Sequence, residues 1–151
     1  MTNRTQTPTL ASQEPMQVAR YLLSTRFSTS NSRNGLWFWR GNFYEWYGDT
    51  WQKRDREWVE SALWVALENV SFTQAAQNGT RQIRFAPNIP KVQGVMRALQ
   101  ALQTLPHERV PVWLTAPKTK YTQTLVSFRD AILDAKTGER YSRDETFFDP
   151  H

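Results

Sequence analysis

"LWFWRGNFYEWYGDTW", Leu36 to Trp51, packs eight aromatic side chains and three formal charges into sixteen residues. Gly41-Asn42 and Gly48-Asp49 divide it into three pieces, the pattern of short strands joined by two-residue turns. A Gly41-Asn42 loop would pair Arg40 with Phe43, Trp39 with Tyr44 and Trp37 with Trp46. A Gly48-Asp49 loop would pair Tyr47 with Thr50 and Trp46 with Trp51. Strand side chains alternate between faces, so Trp37, Trp39, Tyr44, Trp46 and Trp51 share one face and Phe38, Arg40, Phe43, Glu45 and Tyr47 the other. The first face reads as a buried wall against helices around Trp58 and Val95.

Outward from the meander the pattern turns helical. Met16, Ala19, Leu22, Leu23 and Phe27 recur at spacings of three and four and predict a first helix from Pro15 to near Phe27. Asp55 offers an N-cap to a second helix, whose stripe is Trp58, Val59, Ala62, Leu63, Ala66 and Val70. Thr73 to Gln82, around Asn78-Gly79, reads as a loop. A third helix follows Asn88-Ile89-Pro90 and stops by Pro106. The C-terminal third holds β-prone runs, with Lys136-Thr137-Gly138 turning the chain between Ile132 and Tyr141 into a hairpin. The fold class predicted is α+β: a small antiparallel β-meander and a C-terminal hairpin packed with about three main helices.

The chain has 151 residues, 39% of them hydrophobic and 13% aromatic, enough to bury a core in one domain over residues 15–151. Residues 1–14, rich in Thr, Gln, Ser and Pro, read as a flexible tail. Nineteen Lys and Arg against fourteen Asp and Glu give a net charge of +5, which attracts polyanions. No cysteine is present, which excludes a disulfide framework, thiolate metal sites and a cysteine nucleophile. No run is apolar enough for a membrane span or a secretory signal, so a cytoplasmic protein without membrane contact is expected.

Catalytic motifs are missing. None of the six glycines builds a GxxxxGK phosphate loop, and no carboxylate pair stands at the end of an apolar strand to hold two metal ions. Asp144-Glu145 reads as a solvated loop pair. His107 and His151 have no Ser or Asp placed for a relay. A non-enzyme with no cofactor and no metal site is therefore expected.

Four blocks in order, "LWFWRGNFYEWYGDTWQKRD", "PNIPKVQGVMRALQAL", "VPVWLTAP" and "TLVSFRDAILDAKTGERYSRDETFFDP", resemble the domain that precedes the superfamily 3 helicase core in phage, plasmid and poxvirus primase-helicases. The similarity spans Pro15 to Pro150. The last block is the most specific, with its apolar strand, Leu-Asp, Thr-Gly turn and aromatic pair. Where those proteins carry Asn-Gly, this chain has Asp130-Ala131. The resemblance implies a part in DNA replication of a mobile element, as a non-catalytic linker contacting single-stranded or template DNA. It further implies helicase or primase domains as partners, with oligomers only through a helicase ring. The motifs are structural signatures, so no catalytic residue carries over.

For DNA contact the candidates are Arg40 beside Phe38 and Phe43, where a planar cation meets phosphate while a ring stacks on a base. Lys91 and Arg97 on the polar side of the third helix join them, as do Lys118 and Lys120 in the loop after Trp113. A cross-strand pair with Glu45 is the alternative for Arg40, and a solvated loop for Lys118 and Lys120. A module that docks on a helicase or primase without touching nucleic acid is the competing function. Clustered cations would favour DNA; scattered cations with an exposed apolar patch would favour docking.

Overall fold

A computed structural model describes residues 9–10, 12–77, 79–106, 109–115 and 124–150. Pro15 opens helix α1 (Pro15–Ser24), at a position whose amide would have no helical partner. The helix ends three residues before Phe27, whose amide donates back to the Leu22 carbonyl at 2.9 Å and whose ring turns into the core. Asp55 caps α2 (Arg56–Glu68), accepting from the Trp58 amide at 2.7 Å. Asn88 caps α3 (Ile89–Gln103) in the same way, through the Lys91 amide at 3.0 Å. These caps satisfy helix-end donors that would otherwise have no partner.

The meander forms as β2 (Leu36–Trp39), β3 (Asn42–Tyr47) and β4 (Thr50–Arg54). Its second hairpin has the expected register, Tyr47 opposite Thr50 and Trp46 opposite Trp51. The first differs: Phe38 faces Phe43, Trp37 faces Tyr44, and the turn residues are Arg40 and Gly41. Both have positive φ, +46° and +80°, the signature of a type I′ turn. Asn42 stays in the strand and donates its side-chain amide to the Arg40 carbonyl at 3.1 Å. This register closes the Phe38 and Phe43 rings to 4.9 Å, an aromatic contact that offsets the left-handed strain at Arg40. Because the strands slide by two residues, the side chains within the strands keep their expected faces, while Arg40 leaves the ladder for the turn.

Both faces are covered. Leu36, Phe38 and Phe43 pack into a core with Val18, Leu22, Val59, Leu63, Val95 and Leu99 from the three helices. The Leu105 amide donates to the Phe38 carbonyl at 2.8 Å, tying the end of α3 to the meander edge. The tryptophan face packs on the C-terminal strands β7 (Val112–Trp113) and β11 (Phe147–Phe148), not on the helices as expected. Phe148 is the reason: fully buried, it sits 6.0 Å from Trp39, 5.4 Å from Tyr44 and 5.5 Å from Trp51. The Trp51 indole also donates to the Phe147 carbonyl at 3.0 Å.

Beyond this pair lie β8 (Leu125–Ser127), β9 (Ala131–Asp134) and β10 (Arg140–Ser142), with Tyr141 opposite Ile132 as expected. Two further differences stand. Thr9–Leu10 forms β1, parallel to β5 (Ser71–Ala76), and Leu10 is buried, so the tail expected over residues 1–14 is anchored there. Residues 73–82 were expected as a loop; the described ones, 73–77 and 79–82, belong to a hairpin of β5 and β6 (Gly79–Arg84). Only Phe72 and Ile83 of this hairpin touch the core, which left its sequence without an apolar alternation. The described residues thus hold three helices and eleven strands in small sheets, an α+β architecture. No helix among them is long and apolar enough to cross a membrane.

Candidate nucleic-acid interface

The meander does not supply the stacking platform expected around Arg40. Phe43 is 2% exposed and Phe38 half-buried, both committed to the helical core. Arg40 is exposed at the turn, and its guanidinium lies over the Trp39 ring at 4.6 Å, on the opposite side of the sheet from Phe38 and Phe43. The carboxylate expected to pair with it is engaged elsewhere. Glu45 is 7% exposed, accepting from Arg26 at 3.1 Å and from Arg54 at 2.9 Å. Both guanidiniums also cover the Trp58 ring, at 5.5 and 4.5 Å. This node fastens β3 and β4 to α2 and to the segment after α1. Behind Arg40, burial pushes the Tyr44 phenol above its ordinary value, against a weaker downward pull from the Arg40 charge.

Lys91 is half-buried, donates to the Ala86 carbonyl at 3.0 Å and sits 5.0 Å from the Phe85 ring centroid. Its charge closes the approach to α3. Arg97 is exposed on the outer side of that helix, as expected. Lys118, Lys120, His107 and His151 lie outside the described residues. Among the seven expected contacts, Arg40 and Arg97 are thus exposed cations on separate elements, while Phe38, Phe43 and Lys91 serve packing. The carboxylate pair Asp144-Glu145 is also corrected. Glu145 is buried and accepts from the Asn31 amide at 2.9 Å, while Asp144 accepts from the Thr146 amide at 2.9 Å.

A different feature gathers charge. No Asp or Glu occurs between Glu68 and Glu108, whereas Arg81, Arg84, Lys91 and Arg97 all do. Residues 69–107 therefore carry four of the chain's five net charges, on the consecutive elements β6 and α3. Gln74, Gln77, Thr80, Arg81 and Arg97 are exposed there. The gap in carboxylates and the helix over part of it were legible in the sequence; that the rest falls on an exposed ribbon was not.

No family model matches the chain, and no curated protein is significantly similar to it.

Two shallow cavities flank α2. One of about 560 Å³ is lined by Trp64, Val65, Glu68, Arg84, Phe85 and Pro87. Another of about 340 Å³ is lined by Arg26, Trp58, Ser61, Ala62, Val65 and Ala66. Val65, shared by both, is 68% exposed. The first cavity contributes one carboxylate, Glu68, and the second one hydroxyl, Ser61. Among the described residues no group of three His, Cys, Asp or Glu side chains is placed to hold a metal ion.

Proposed function

We propose that the chain is a non-catalytic DNA-binding domain of a replication primase-helicase system, contacting DNA through the cationic stretch from β5 to α3. The observation that carries this reading is the concentration of net charge there. Four cations in a segment that has no carboxylate of its own attract phosphate; Arg84 faces the exposed Glu68 at 4.0 Å, a looser pairing than those that hold Arg26 and Arg54 on Glu45 and Arg140 on Asp130. The resemblance to pre-helicase domains supports the replication context, with helicase or primase domains as partners.

A docking module is the second reading, favoured by the exposed Val65 between the α2 cavities. Titration of labelled single-stranded and duplex DNA separates the two. With DNA as ligand, log affinity falls against log salt with a slope of roughly −0.7 per phosphate on a single strand and −0.9 on a duplex. Absence of binding at about 50 mM salt, where electrostatic contacts are strong, would favour docking instead. Neither ATP hydrolysis nor primer synthesis is expected; turnover that survives purification would overturn the non-catalytic reading.

A further inference from the structure

The β5–β6 hairpin has a buried root and an unburied shaft. Phe72 and Ile83, opposite each other, anchor it in the helical core. At the root Gln82 donates to Thr9 Oγ1 and Ser71 Oγ, both at 2.7 Å, and Arg84 Nε donates to the Glu68 carbonyl at 3.1 Å. Strand β1 covers only Ser71 and Phe72 of β5. Beyond that point Thr73 to Gln77 and Gly79 to Gln82 are exposed, so the shaft is a two-stranded ribbon with both faces in solvent. A chain gains nothing in stability from projecting a ribbon with so little apolar surface to bury.

We infer that this ribbon inserts into the major groove of duplex DNA, an inference that rests on the DNA-binding reading and names its substrate. The groove is about 12 Å wide and 8.5 Å deep, and it admits a two-stranded ribbon. Six-residue strands rise about 3.3 Å per residue, so the hairpin is about 20 Å long, enough to cross the groove. Its chemistry suits base edges. Gln74 lies opposite Arg81 on one face, and Gln77 sits at the tip. Glutamine and arginine are side chains that make paired hydrogen bonds to adenine and guanine in that groove. Ala75, Ala76 and Gly79 keep the tip narrow, and the hairpin carries no carboxylate to meet the phosphate walls.

Duplex is favoured over single-stranded DNA because single strands are held largely by stacking, and no aromatic residue lies beyond Phe72 on the ribbon. Pairing with a second copy is disfavoured by Arg81, a charge in the middle of the outer strand.

The test is fluorescence anisotropy of the full chain on a labelled duplex and on each of its single strands, comparing the parent with Gln74→Ala/Arg81→Ala. Both positions are exposed, so circular dichroism and the unfolding temperature should match the parent; Lys53→Ala on β4 is the control. The double variant should lose about tenfold in duplex affinity, with the duplex salt slope little changed because the two side chains contact base edges and not phosphate. Its single-strand affinity should change less than twofold, and Lys53→Ala should leave both unchanged. Unaltered duplex binding by the double variant would overturn the ribbon assignment while leaving the DNA-binding reading intact. Equal losses on duplex and single strands would also overturn it, because the ribbon would then be a general phosphate contact. If the parent binds neither form, the underlying DNA-binding reading itself fails.

Discussion

Trp51→Ala tests the packing of the tryptophan face on the C-terminal strands. Trp51 is 3% exposed, its ring lies 5.4 Å from Trp46 and 5.5 Å from Phe148, and its indole donates to the Phe147 carbonyl. Truncating a buried aromatic costs about 3–5 kcal/mol. A buried carbonyl left without its donor costs about 1–3 kcal/mol, already part of the upper end of that range. A loss near 4–5 kcal/mol is therefore expected for Trp51→Ala. At about 2–4 °C per kcal/mol for a chain of this size, the midpoint should fall by roughly 8–20 °C. Trp51→Phe retains most of the packing and orphans the carbonyl, so about 1–3 kcal/mol should be lost. Trp46 is half-buried and Trp46→Ala should cost less than Trp51→Ala, about 1–3 kcal/mol. Urea unfolding at constant m-value gives all three. A neutral Trp51→Phe, or a Trp46→Ala as costly as Trp51→Ala, would refute this picture of the layer.

Removing Arg54 leaves Glu45 with Arg26 alone and uncovers Trp58, so Arg54→Ala should lose about 1–3 kcal/mol in urea unfolding, less than a fully buried pair because Arg54 is partly solvated. Combined with Glu45→Gln, the losses should fall short of additive in a double-mutant cycle. At Gly41, with φ near +80° and open space where a Cβ would stand, the cost of a side chain is conformational. Gly41→Val should lose about 1–2 kcal/mol and Gly41→Asn a few tenths, measured by thermal unfolding. The Tyr44 phenol holds its proton more tightly folded than unfolded, so its contribution is fully present below the ordinary value of 10.0 and is lost as pH rises through the folded value. Arg40→Gln removes the charge that pulls that value down and should shift the tyrosinate absorbance titration further up.

Local chemistry made much of the fold legible. The cap at Asp55 depends on a side chain within three residues of the amide it binds, the start of α3 on the Pro at its first turn, and the Ile132–Tyr141 hairpin on a short turn between its strands. Meander faces followed from alternation and survived the two-residue shift in register. What covers each face was not legible, since Trp51 meets Phe147 across 96 residues of sequence. Stacking by Phe38 and Phe43 was expected from their place beside Arg40; Leu36, on the same face of the strand, packs with them into the helical core. The ribbon escaped notice because its shaft is polar on both sides, even though Asn78-Gly79 is a strong hairpin signal.

Photocrosslinking of bound DNA to the full chain, followed by mass-spectrometric mapping of the joined peptides, tests the central claim most directly. Crosslinks should concentrate in residues 69–107, around Arg81 on β6 and Arg97 on α3, and fade as salt is raised. Crosslinks concentrated instead on the C-terminal hairpin around Arg140, or a yield no greater than that of an acidic control protein, would contradict it.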